Sequence, residues 1–268
     1  MQLCSDVEVE PLPGTAKPGA TYVLFEWPGP WPRDVMGDAA LGEELTAQLK
    51  PLLAEHEATL LLIRHPTREG RDIADHHLYL VFADQAVTEV MHVDGPEALL
   101  DLDLSGPGNN GARERDRPLL LICTHAKRDR CCAMKGRPLV NELNERHPFG
   151  PGNDMVWETS HIKGHRFAPT MLLLPWAYSF GRMNIEAADA MLADASEGLY
   201  FVPGNRGRGT LGPAEQVAEL AVAAEVPGAR YGQFEVAASD GGSALVTDTA
   251  SGQVYEVQLE QRPVSGVV

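Results

Sequence analysis

Three of the four cysteines in this chain, Cys123, Cys131 and Cys132, fall within the single stretch LLLICTHAKRDRCCAMKGRP. Two histidines, His161 and His165, follow in WETSHIKGHRFAP, and the fourth cysteine, Cys4, lies near the start. Thiolates and imidazoles are soft to borderline donors, so this set suits zinc or an iron–sulfur centre and not magnesium or calcium. Alternatives remain open on the residues alone. A structural Cys2His2 zinc site has suitable donors, although eight residues between Cys123 and Cys132 exceed the usual zinc-finger spacing. A thiol-redox protein would use Cys131 and Cys132, their acidity raised by Lys127 and Arg128, yet the chain has no Cys-x-x-Cys. The plainest reading is a buried strand cysteine and two loop histidines.

These residues need a scaffold that brings two distant segments together. RPLLLICTH (117–125) reads as an apolar strand that delivers Cys123 at its end, and a charged loop then returns a second thiolate. An extended backbone around Cys131-Cys132 sends the two side chains to opposite sides, so only one of them reaches a given metal. His161 and His165 share a face if their segment is helical, or converge if Gly164 permits a sharp turn.

The rest of the chain supplies two similar halves. Residues 1–20 read as a flexible lead, rich in proline and acidic residues. TYVLFEW (21–27) is a strand. Leucines 41, 45, 49, 52 and 53 recur at helical spacing, with Pro51 expected to end or kink that helix. ATLLLIR (58–64) follows as a buried strand, then HLYLVFAD and AVTEVMHV as a hairpin. The turn-rich DLSGPGNNGARERD (103–116) marks a boundary. After it come the cysteine strand, a helix in AMKGRPLVNELNERH, a strand in DMVWETSHI, and a hairpin of TMLLLP and YSFGRM. Asn184 caps a helix reaching about Ser196, another begins at Gly212-Pro213, and residues 228–262 alternate as two or three strands. The expected organisation is therefore a lead (1–20), an N-terminal α/β domain (21–113), a second α/β domain (114–227) and a small β extension (228–268). Strand, helix, strand, hairpin is a thioredoxin-like order. It arises here by duplication, with a metal site kept only in the second half, or by chance similarity of two short α/β units.

Charge bounds the partners. A net charge of −16 argues against nucleic-acid binding, which needs a cationic surface. Lys127, Arg128, Arg130, Lys135, Arg137, Lys163 and Arg166 nevertheless crowd the two cluster segments. They form either a docking surface for an acidic redox partner or ordinary solvated loop charge. No apolar run is long enough to span a bilayer, and the acidic start does not read as a secretory signal. With too few cysteines for a disulfide framework, the expected location is the cytoplasm.

Other residues have simpler roles. His76-His77 reads as a polar rim, and the four tryptophans as core or interface, with Trp157 and Phe167 flanking the histidine segment as a shield against water. PGNRGRGT, with Arg206 and Arg208, reads as an anion cradle before a helix or as a flexible loop.

The segments CTHAKRDRCCAMKGRPL and WETSHIKGHRFAPTMLLLP together resemble the sucrase/ferredoxin-like family, strongly over about 117–185 and more weakly elsewhere. The resemblance implies a thioredoxin-like ferredoxin domain and a 2Fe–2S cluster held by Cys123, Cys132, His161 and His165, with electron transfer as the function. It leaves Cys131 as a spare thiol. Lys163 and Ala126 stand where the family often has glycine. The family name also suggests glycoside hydrolysis, but that chemistry needs two paired carboxylates, and the acidic residues here show no such pairing.

Overall fold

In the computed structural model, residues 3–7, 9–150, 153–239 and 242–263 are described. The elements in chain order are β1 (Thr21–Glu26), α1 (Glu43–Glu55), β2 (Thr59–Arg64), β3 (His76–Phe82), β4 (Val87–Val93), β5 (Arg113–Glu114), β6 (Leu119–Cys123), α2 (Arg130–Arg146), β7 (Val156–Thr159), β8 (Thr170–Leu174), β9 (Tyr178–Gly181), α3 (Ile185–Ser196), β10 (Asn205–Arg208), α4 (Pro213–Glu225), β11 (Phe234–Ser239), β12 (Ser243–Asp248) and β13 (Val254–Gln258). This is a mixed α/β protein, and among its described residues no helix is long and apolar enough to cross a membrane.

Apolar runs buried on both faces build the centre of one ten-stranded sheet, in the order β10-β9-β8-β6-β7-β2-β1-β3-β4-β5. In the first half β1 pairs parallel with β2 and antiparallel with β3, which pairs antiparallel with β4. The second half repeats this pattern: β6 is parallel to β7 and antiparallel to β8, and β8 is antiparallel to β9. The halves meet where β2 and β7 pair antiparallel, Ile63 opposite Thr159 and Arg64 opposite Glu158. The sheet is thus continuous across the expected boundary at 113/114. At the seam Arg64 Nε donates to Glu158 Oε2 at 3.0 Å, with both residues buried, and Thr124 Oγ1 donates to the same oxygen at 2.7 Å. A buried ion pair is tolerable because its remaining hydrogen bonds are made.

Several elements differ from the sequence reading. Helix α1 does not end at Pro51 but continues to Glu55, because Leu45, Leu49 and Leu53 are all buried against the first half and tertiary packing outweighs the lost backbone bond. Helix α2 begins at Arg130 and not after the cysteine pair. Asp129 explains the early start: its side chain accepts from the Cys131 N–H at 2.8 Å, satisfying an otherwise orphaned donor of the first turn. PGNRGRGT is neither a loose loop nor an anion cradle. Its centre is β10, with Arg206 buried, donating to Thr15 and lying over the Phe167 ring at 4.9 Å. The described residues of 1–20, expected as a flexible lead, are docked: the Gly14 and Thr15 amides bond to the Arg206 carbonyl at 2.9 and 3.2 Å. Residues 234–258 form the expected strands as a separate three-stranded antiparallel sheet.

One close approach sets where α2 lies. A Cβ on Gly136 would sit 2.2 Å from the carbonyl oxygen of Cys123, so the helix rests directly on the end of β6. Only glycine permits that distance. Gly136→Ala is expected to lower stability by about 1–3 kcal/mol in a denaturant titration, as overpacked substitutions do. An unchanged midpoint would show that α2 moves away from β6 at little cost.

Candidate metal centre

Strand β6 carries Cys123 to the C-terminal end of the sheet, and the first turn of α2 sets Cys132 against it. The segment after β7 then brings in His161. One donor atom from each of Cys123, Cys132 and His161 lies within 4.8 Å of the others. Both thiols are buried, and His161 Nδ1 is buried with no hydrogen-bond partner. An unpartnered buried nitrogen beside two thiols fits a metal ligand, since such groups are otherwise costly.

The two thiols differ electronically. A hydrogen bond from the Cys132 thiol, and others from His161 and the His125 backbone, hold the Cys123 thiol well below its ordinary range despite complete burial. The same bond and burial push Cys132 up. The two thiols are therefore inequivalent, Cys123 the more acidic and Cys132 the less.

His165 takes a different position. It forms a second group with Cys4 and Asp129, again with donor atoms within 4.8 Å, and its Nε2 lies 3.6 Å from Asp129 Oδ2. The His161 and His165 rings are neighbours, 6.4 Å between centroids. Of the four expected ligands the structure thus brings three together and sets the fourth alongside. The histidine segment is a sharp turn rather than a helix. Lys163 has φ +67° and Gly164 φ +84°, and His165–Phe167 follow as one 3₁₀ turn. A Cβ at Gly164 would meet the Arg206 guanidinium at 2.6 Å, so this second glycine is also required by space. Lys163 thus occupies the left-handed region, which glycine adopts without steric cost.

Cys131 and Cys132 are separated by helix geometry, not by an extended strand. Both lie in the first turn of α2, where successive side chains diverge by about 100°. Cys132 faces Cys123, whereas Cys131 Sγ lies 3.0 Å from Cys4 Sγ. Sequence reasoning did not connect Cys4 to the site, and it also passed over His125. The latter is buried, its Nε2 2.6 Å from the Pro32 carbonyl and its Nδ1 unpartnered. The CTH triplet was the signal available for His125. Nothing local signals Cys4, whose partner is 127 residues away.

The charges around the site are more fully paired than the sequence suggested. Arg128 meets Asp34 at 3.2 Å, Lys135 meets Asp6 at 2.8 Å, Arg137 meets Glu69 at 2.7 Å, and Arg166 is paired with Glu10. Two of these acids belong to the N-terminal segment. Phe167 is fully buried beneath Arg166, Arg182 and Arg206, while Trp157 packs among Tyr79, Phe149, His65 and His77.

The corresponding place in the first half carries different chemistry. Glu26 opposes Ile63 as Cys123 opposes Thr159, and His65 follows Ile63 as His161 follows Thr159. Glu26 is fully buried and bound to His77 Nδ1 at 2.7 Å and Arg68 at 3.1 Å. His76 Nδ1 lies 2.8 Å from the Glu26 carbonyl, so buried His76 and half-buried His77 bracket Glu26 rather than forming a rim. Burial lowers His65 to about 4, keeping it neutral.

Fold and site together define a mixed α/β protein with a buried two-thiol, imidazole-lined centre at the end of a sheet. The sucrase/ferredoxin-like family model matches residues 12–206, most of the chain, and the chain belongs to that family. No curated protein and no solved structure was found to match it.

The left-handed turn makes a direct prediction. Lys163→Gly removes the steric conflict of a side chain at φ +67° and is expected to stabilise by up to about 1 kcal/mol in thermal or denaturant unfolding. A clear loss of stability would mean that Lys163 makes a compensating interaction.

Proposed function

We propose that this protein is an electron carrier holding one 2Fe–2S cluster through Cys123, Cys132, His161 and His165. The observation that carries this reading is the convergence of two buried thiols and an imidazole whose buried Nδ1 has no hydrogen-bond partner, in a member of the sucrase/ferredoxin-like family. Such a cluster supplies one-electron redox chemistry, with a potential raised when neutral imidazoles replace thiolates. The chain's own part is electrostatic and steric. Hydrogen bonds from Cys132 and His161 favour the ionised form of Cys123, the form a metal ligand takes. Gly136 and the Asp129 cap fix Cys132 opposite it. Family membership supports His165 as the fourth ligand, which requires it to leave Asp129 and Cys4.

Each half, in this reading, is a thioredoxin-like unit, 21–113 and 114–227, followed by the 228–268 extension. The repeated strand order supports a duplication. Glu26, with its Arg68 and His77 partners, replaces the thiolate in the first half, so only the second half retains a metal site. The reading also places the protein in the cytoplasm, where buried thiols stay reduced. An acidic redox partner would dock on Lys127, Arg128, Arg130, Lys163 and Arg166, displacing the internal acids that pair with some of them. Glycoside hydrolysis gains no support: buried Glu26 and Glu158 are each committed to an arginine.

A second reading is a zinc site, favoured by the three donors already gathered without His165. Anaerobic purification separates the two. A red-brown protein with about two iron and two sulfide per chain is expected for the cluster, whereas colourless protein with one zinc selects the alternative.

Two substitution series test the ligands. Cys131→Ser is expected to keep near-native iron content and visible spectrum, and Cys132→Ser to lose or strongly alter both. The reverse pattern would assign the ligand to Cys131. The midpoint potential is expected above the roughly −400 mV of plant-type ferredoxins. His161→Cys or His165→Cys adds a negative ligand and should lower it wherever the cluster survives; a rise would contradict the charge argument.

A further inference from the structure

The N-terminal segment brings a thiol to the site that the proposed cluster does not use. Cys4 Sγ lies 3.0 Å from Cys131 Sγ. Both cysteines are free. This separation is inside ordinary contact between two sulfurs, and closing it by about 1 Å gives a disulfide length.

The approach is built by contacts on both sides of Cys4. Lys135 on α2 pairs with Asp6 at 2.8 Å and donates to the Ser5 carbonyl at 3.1 Å. Further along, Glu10 pairs with Arg166, and Arg182 donates to the Glu10 carbonyl at 3.0 Å. On the other partner, Asp129 caps α2 and fixes the turn that carries Cys131. The segment is thus held by charge across the His165 end of the site, with its one thiol over Cys131.

We infer that Cys4 and Cys131 form a second redox centre, a dithiol that oxidises reversibly to a disulfide and fastens the N-terminal segment over the histidine end of the metal centre. The oxidant is a low-molecular-weight disulfide of the glutathione class. One thiol attacks it to give a mixed disulfide and one equivalent of thiol. The second protein thiol then displaces the bound half, forming the Cys4–Cys131 bond and releasing a second equivalent. Two electrons leave the protein sulfurs, and both protons end on the released thiols. Cys132, one residue on, faces Cys123 instead, so the two sulfur pairs are chemically separate.

The test uses the purified full chain, held anaerobically in glutathione buffers from fully reduced to fully oxidised. Unreacted thiols are alkylated, and the peptides are mapped by mass spectrometry. The expected result is a Cys4–Cys131 cross-linked peptide in oxidised buffer. Alkylation of both residues should fall at least about tenfold, as a margin near 30 mV gives for a two-electron couple, and dithiothreitol should restore it. Cys4→Ser and Cys131→Ser should each abolish the cross-link and leave the remaining partner alkylatable. The inference is overturned if both thiols stay alkylatable, if they carry only glutathione, or if the cross-link found is Cys123–Cys132 or Cys131–Cys132. Iron and colour measured on the same sample report separately on the cluster, so either conclusion can fail alone.

Discussion

Helix α2 lies on the end of β6 at backbone contact, and most of the site follows from that. Without a side chain at Gly136, the helix comes close enough for its first turn to face the strand end, and Cys132 meets Cys123 there. Asp129 makes the turn possible by capping the amide of Cys131. The cap does local work with a distant result, because it stabilises the helical turn that carries both cysteines. Precision at this point comes from rigid elements, which hold donor atoms better than loops do.

The sheet supplies the second constraint. Two halves of the same strand order join through β2 and β7, so the end of β6 and the segment after β7 lie beside the seam rather than at a free edge. The buried Arg64–Glu158 pair sits in that seam, with Thr124 joining it one residue beyond Cys123. A half-satisfied ion pair at this depth would be strongly unfavourable. The first half therefore contributes support to the centre while keeping its own equivalent position closed with Glu26, Arg68 and His77.

Charge organises the surface above the centre. Many of the cations read from sequence as a docking face are engaged, and two of their partners, Asp6 and Glu10, come from a segment whose described residues hold no strand or long helix. An acidic N-terminal segment in an acidic protein finds its place by pairing with the local cationic excess. The same pairing carries Cys4 to Cys131, so electrostatics and sulfur chemistry meet at one spot.

The sequence by itself determined most of the element order, the apolar strands, the Asn184 cap and the two short segments that carry Cys123, Cys132, His161 and His165. Those features rest on local periodicity and residue chemistry, which neighbouring residues suffice to express. It did not determine that α1 would continue through Pro51, since that depends on burial of Leu49 and Leu53 against strands elsewhere in the chain. Nor did it determine that Cys131 and Cys132 share a helical turn, or that the Arg206 segment is a strand. Only the tertiary structure decided that three donors converge while His165 stands with Asp129 and Cys4, and that the described residues before 20 are docked. Contacts across 127 residues leave no periodic trace in either segment; they exist because folding closes a loop that no local window spans.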